Sequence, residues 1–205
     1  MAKAPVAGRV KTRLAAEAGL AVALRFARHR IAALVQRMQG GGAWHTLLAV
    51  TPDSALPARI WPPGVRLVAQ GGGDLGARMQ RLVDLAPPGP VVIIGTDIPG
   101  IAPAHIAAAF CLLGRHDAVL GPAADGGYWL IGLKRRPHIP RPFAGVRWSG
   151  AHALADTLAN LRSHSVALLP TLRDVDTADD LAAHAESLGR HIRQYAGRHP
   201  ISVIP

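Results

Sequence analysis

Val91-Val92-Ile93-Ile94-Gly95-Thr96-Asp97 is an apolar, β-branched run that breaks at a glycine and ends on an acid. Such a run reads as a strand buried on both faces, as in a parallel sheet. The flanking elements alternate in kind. Upstream, Leu20, Leu24, Ile31, Leu34, Val35 and Met38 recur at helical spacing with Arg25, Arg28, Arg30 and Arg37 between them, and Gly40-Gly41-Gly42 ends that helix. Residues 44–51 read as a strand, Pro52 to Arg59 as a short helix or loop, 65–69 as a strand, and Asp74 to about Leu85 as a helix. Downstream come a helix from about Pro103 to Leu113, strands at 117–121 and 128–133, a helix at about 150–162, a strand at 165–169 and a last helix from Thr177. Strand and helix in alternation predict a doubly wound, mostly parallel α/β sandwich. No linker or repeat divides the chain, so the expectation is one domain over 1–205. From about residue 190, ending at Ile201 to Pro205, the chain reads as a loose tail or a contact.

The 205 residues and 49% hydrophobic content support a core without disulfide or metal. With 18% charged residues, wholesale disorder is excluded. No apolar run approaches the roughly 20 residues that span a bilayer. Met1-Ala2-Lys3-Ala4-Pro5 lacks a signal peptide's apolar region, and the single cysteine, Cys111, forms no framework; both point to the cytoplasm. Cys111 sits in an apolar helical stretch and reads as a buried small hydrophobe. The net charge of +10 invites a nucleic-acid reading, but the arginines are scattered and aromatics are only 4%, so no nucleic-acid partner is expected. A positive field suits an anionic small substrate equally well.

In sheets of this kind ligands bind beyond the carboxyl ends of the strands. Four loops there carry chemistry. Lys3 to Leu14 brings Lys3, Arg9, Lys11 and Arg13 around Gly8 with no acid, which suits a phosphate, although the same residues read equally as a basic solvated arm. It is not a Walker A loop. Gly71, Gly73 and Gly76 meet the dinucleotide fingerprint, and Asp97 stands about 20 residues on, where a ribose-binding acid belongs. Against this, Asp74 looks like an N-cap opening a helix after a flexible connection. Asp97 itself, followed by Pro99, is a hard oxygen donor suited to Mg²⁺ or Mn²⁺, or else a turn cap. Asp125-Gly126-Gly127 permits a ligand to approach the main chain, while Asp176 is placed to cap the last helix and Asp174 is freer to take a metal. Zinc motifs and a Gly-x-Ser-x-Gly elbow are missing, Ser149 lying in Trp148-Ser149-Gly150.

Taken in order, KAPVAGRVKTRL, GGDLGARM, VVIIGTDIPGI, DAVLGPAADGGYWLIGL, FAGVRWSG and LPTLRDVDTADDL resemble the bacterial GT-A-like transferases labelled radical-SAM/selenodomain-associated transferase 1, some named for arsenosugar biosynthesis. That family is related to 2-phospho-lactate guanylyltransferase. The resemblance covers about residues 3–181. It implies a Rossmann-like nucleotide-diphospho-sugar transferase fold, a divalent metal, a nucleotide or nucleotide-sugar donor and a small acceptor. Lys3, Gly8, Lys11 and Arg13 match the nucleotide-binding loop, and Asp74 and Arg78 fall in a second nucleotide-side segment. Asp97 matches the metal-binding carboxylate, joined by Asp174 or Asp176. Asp125, placed with Asp97 among the catalytic groups, stands with Gly126, Gly127 and Ser149 on the substrate side. Glycosyl transfer is the leading expectation and nucleotidyl transfer with pyrophosphate release the alternative. Relatives carry an apolar strand before the Lys-Ala-Pro segment. Here only Met1-Ala2 precede it, so the reading expects a start upstream or, without one, a poorly ordered phosphate loop.

Overall fold

The computed structural model describes residues 1–6, 15–16, 19–39, 43–98 and 100–172. Its elements run β1 (Ala2–Lys3), α1 (Leu20–Gln39), β2 (Leu47–Thr51), a 3₁₀ turn (Asp53–Ala55), β3 (Arg66–Ala69), α2 (Leu75–Leu85), β4 (Val91–Ile94), α3 (Pro103–Leu113), β5 (Ala118–Pro122), β6 (Tyr128–Leu133), α4 (Ala153–Asn160) and β7 (Val166–Leu168). The helix expected from Thr177 and the tail lie outside the described residues.

β1, β2 and β3 form a parallel ladder in that order, and a second ladder runs β4-β6-β5-β7. The Met1 amine donates to the Ile94 carbonyl at 2.6 Å, which joins the start of β1 to the end of β4. Helices cover both faces. Leu34 and Met38 of α1 and Ile106, Ala109 and Leu113 of α3 bury against Val119 and Trp129, with Val92 and Ile94 alongside. Met79 and Val83 of α2, with Leu154 and Leu158 of α4, meet Ala118, Leu120, Ile131 and Leu133 on the other side, where Val91 and Ile93 point. Alternate residues of β4 and β5 thus feed opposite layers, as the period of two requires. The α/β sandwich is the expected one.

The environment of the 91–97 run is not. β4 stops at Ile94, its four residues are only half-buried, and its ladder partner β6 is antiparallel (Ile94 opposite Leu130). The cause is the β5–β6 hairpin, which turns at 123–127 and inserts β6 between β4 and β5, so β4 has no parallel neighbour in its own ladder. Residues 44–46, expected in a strand, instead cap α1: Trp44 Nε1 and Thr46 Oγ1 both donate to the Met38 carbonyl at 3.0 Å, satisfying an end-of-helix acceptor. Cys111 is exposed, contrary to expectation, because α3 buries Ile106, Ala109 and Leu113 and that spacing turns Cys111 outward. Among the described residues no helix is long and apolar enough to cross a membrane.

Candidate functional site

Ladder registers bring the sequence's candidate loops to one edge. Lys3 lies opposite Thr51 and Ala69 opposite Val50, so β1, β2 and β3 end together. Ile94 meets Leu130 and Pro122 meets Tyr128, which adds the ends of β4 and β5. Leu172 pairs beside Ala123, its N–H donating to the Pro122 carbonyl at 3.1 Å.

On the β1–β3 side a cleft of about 580 Å³ opens, lined by Lys3, Val6, Pro52, Ser54, Ala55 and Arg78 among others. Its size suits a small-molecule ligand. Two cations and the hydroxyl-bearing Thr51 and Ser54 against apolar walls, with no acid among the described lining residues, make it a site for an anion with an apolar end. Each lip is tied down. Ala4 donates to the Thr51 carbonyl at 2.7 Å. Asp53 Oδ1 accepts from the Gly71 amide at 3.0 Å, clasping the glycine-rich loop to the 3₁₀ turn. Arg78 Nε donates to the Gly73 carbonyl at 2.9 Å, aligning the guanidinium that lines the cleft. Buried Gln70 binds the Ala2 and Ala49 carbonyls through Nε2 and so joins β1 to β2 beneath.

Asp74 acts as the N-cap foreseen, its Oδ1 accepting from the Ala77 amide at 2.7 Å; Arg78, not Asp74, reaches the cleft. The dinucleotide alternative fails on geometry. A Cβ on Gly71 would stand 2.4 Å from the Arg81 guanidinium, and one on Gly76 2.8 Å from the Trp148 ring. The glycines make room for the protein's own side chains. Nor does β4 lie beside β3, as a dinucleotide-binding βαβ unit needs; β3 pairs with β2.

Asp97 is exposed between buried Thr96 and Ile98, which anchor its backbone. The strand end before it is held by the Gly95 amide donating to the Trp129 carbonyl at 3.2 Å. Burial lowers the Met1 amine to a pKa of about 6, and the charge of Asp97 opposes that shift, which puts Asp97 within electrostatic reach of β1. Asp125 Oδ1 accepts from the Gly127 amide at 2.9 Å. The expected close approach at Gly126 is real, but its partner is the protein: φ is +85°, and a Cβ there would lie 2.5 Å from the Ala151 carbonyl oxygen. Leu154 N–H donates to the Gly126 carbonyl at 3.0 Å, so the turn is docked on the segment carrying Ser149, itself left-handed at φ 64°. Arg147 pins that segment to α4 through three bonds to the Asp156 carboxylate, two from its guanidinium at 2.9 and 2.8 Å and one from its backbone amide at 3.0 Å, which hold the Asp156 pKa well below the usual range. Gly126→Ala is expected to cost about 1–3 kcal/mol from backbone strain, seen as a lower melting temperature. A melt unchanged from wild type would refute the docking.

Gly8, Lys11, Arg13, Pro99, Asp174 and Asp176 lie outside the described residues. Among those described, no three His, Cys, Asp or Glu groups gather as a metal cluster. Sequence reasoning missed Asp53 and Ser54. Both follow β2 directly, and the rule that ligands sit beyond strand carboxyl ends would have found them.

The family model for DUF2064, described as an uncharacterized protein conserved in bacteria, matches residues 8–150. A crystal structure from Desulfovibrio desulfuricans G20, provisionally named a nucleotide-diphospho-sugar transferase, is 34% identical, with 87% of this chain and 81% of that one covered and a TM-score of 0.76. A Mycobacterium sp. strain JC1 protein, homologous to one of Mycobacterium tuberculosis, shares the fold at 18% identity and a TM-score of 0.50, over 80% and 83% of the two chains. No curated protein matches.

Proposed function

The chain belongs to the bacterial family DUF2064, and from that premise we propose that it is a transferase whose donor is a nucleotide-diphospho-sugar and whose reaction is glycosyl transfer to a small acceptor. The observation that carries this reading is the cleft with Lys3 and Arg78, free of acids among its described lining residues, on the sheet edge where Asp97 and Asp125 also emerge. Lys3 and Arg78 bind the diphosphate; Ser54 and the walls formed by Val6, Pro52 and Ala55 take the nucleoside. Exposed Asp97 fits Mg²⁺ or Mn²⁺, which take one or two carboxylates plus phosphate oxygens and waters. Such an ion, when bound, neutralises the diphosphate. Asp125, with one oxygen committed to Gly127, has the other for the acceptor hydroxyl. That hydroxyl oxygen attacks the anomeric carbon, the bond from that carbon to the β-phosphate oxygen breaks, and the proton passes to Asp125. Holding donor and acceptor in line lowers the remaining barrier.

The test is a thermal-shift panel of nucleotides and nucleotide sugars with Mg²⁺, Mn²⁺ or EDTA, followed by product analysis for the donor that binds. Free nucleoside diphosphate is the expected product. Pyrophosphate would instead establish nucleotidyl transfer, and no shift with any donor would refute the site. Asp53→Ala is expected to weaken donor binding by about 2- to 10-fold, the worth of one hydrogen bond, by releasing the Gly71 loop. Asp53→Asn keeps the acceptor oxygen and is expected to restore binding. Equal affinities for wild type and Asp53→Ala would show that the clasp has no part in binding.

A further inference from the structure

A second concavity lies apart from the cleft, between α1 and Ile60–Pro62. It has a volume of about 550 Å³, and Arg25, Arg28 and His29 rim it above Leu24, Ile60 and Trp61. The three basic residues are exposed and fall at i, i+3 and i+4, about 5–6 Å apart along one stripe of the helix. Among the described residues no acid lines the groove, and α1 has none anywhere in its 20 residues. Leu20, one helical turn before Leu24 on α1, is 55% exposed. Trp61 is fixed in place, its Nε1 donating to the Ala55 carbonyl at 2.7 Å, and Ala55 also lines the donor cleft.

We propose that this groove docks an acidic segment of a partner protein, one that sets carboxylates a helical turn apart and lays a bulky apolar side chain on Leu24, Ile60 and Trp61. Charge complementarity supplies the acidic requirement, because two arginines one helical turn apart, with no acid beside them among the described residues that line the groove, favour an anionic occupant over a neutral or cationic one. The apolar floor supplies the rest. A nucleic-acid strand would use a series of stacking aromatics, and the groove has one. The occupant would stand one hydrogen bond from the donor cleft, through Trp61 and Ala55.

Fluorescence anisotropy on the full chain tests this with three labelled probes: a 14-residue peptide with glutamates at i, i+3 and i+4 and leucines on the adjoining face, its leucine-to-serine counterpart, and a 15-residue oligothymidine. The amphipathic peptide is expected to bind, and Arg25→Glu/Arg28→Glu to weaken it by about tenfold or more. Arg115→Glu/Arg162→Glu, the same charge change at exposed positions elsewhere, is expected to leave binding within about twofold. Unchanged melting temperature and donor-induced shift would show that the groove variant is folded. The proposal is overturned if the peptide does not bind, if both double variants weaken it equally, if the serine counterpart binds as well, or if oligothymidine binds more tightly through these arginines.

Discussion

Asp97→Ala is expected to yield a folded protein whose transfer rate is lower by about 10²–10³-fold, a loss of several kcal/mol of transition-state stabilisation. The fold should survive because the residue contributes little to packing. Its neighbours Thr96 and Ile98 are the buried ones, and the strand end is held by main-chain bonding from Gly95 to Trp129. What the change removes is the hard carboxylate at the edge shared with Lys3, Arg78 and Asp125. Asp97→Asn separates charge from shape: it is nearly isosteric but a poor ligand for a divalent cation, and its activity should resemble that of the alanine variant. EDTA should reduce wild-type activity to a similar level and have little further effect on either variant. Initial rates beside melting curves make the check. A rate within a few-fold of wild type would remove Asp97 from the reaction, and a large fall in melting temperature would mean that it holds the fold instead.

Trp129→Ala is expected to cost about 3–5 kcal/mol, the usual range for emptying an aromatic site in a core. For a chain of this size that lowers the melting temperature by roughly 6–20 °C. Trp129 is 2% exposed and sits among Leu34, Met38, Ile106 and Leu169, where two helices meet the sheet. Its Nε1 donates to the Pro170 carbonyl at 3.2 Å, and the His105 ring tilts against it at 5.4 Å. The indole also explains a glycine. A Cβ on Gly121, across the β5–β6 hairpin, would stand 2.4 Å from the ring, so Gly121→Ala should destabilise wild type. In the Trp129→Ala background that clash is gone, and Gly121→Ala should cost much less. Thermal melts of the four proteins in this double-mutant cycle give the coupling directly. Additive costs would show that the ring and the glycine do not define each other's space.

Much of this molecule follows from local pattern. α3 begins at Pro103 and ends at Leu113 as periodicity and an N-terminal proline require, and Asp74 caps α2 as its side-chain chemistry suggests. Asp97 stands just past a strand end, where a run of β-branched residues breaks at glycine. Such features were legible because each depends on residues within a turn or two of one another. Arg78 was legible as a cleft cation only through the resemblance, since spacing alone left it an ordinary helical arginine.

Other features depended on which distant segments meet. Nothing near residue 91 says that β6 inserts between β4 and β5, because strand order is decided by the whole set of faces to be buried. Gly76 and Gly126 look alike as flexible residues. Only tertiary contact shows that one makes room for Trp148 and the other for Ala151. Asp53 looks like a turn residue until Gly71, in the loop after β3, gives it a partner. Taken alone, the sequence determined the α/β class, most element positions, the basic balance and the candidate acid at Asp97, since periodicity, capping and charge are properties of neighbouring residues. The sheet order, the cleft between Lys3 and Arg78 and the use of each glycine were decided by tertiary structure, because side chains far apart in the chain compete for the same space and only packing decides which of them occupies it.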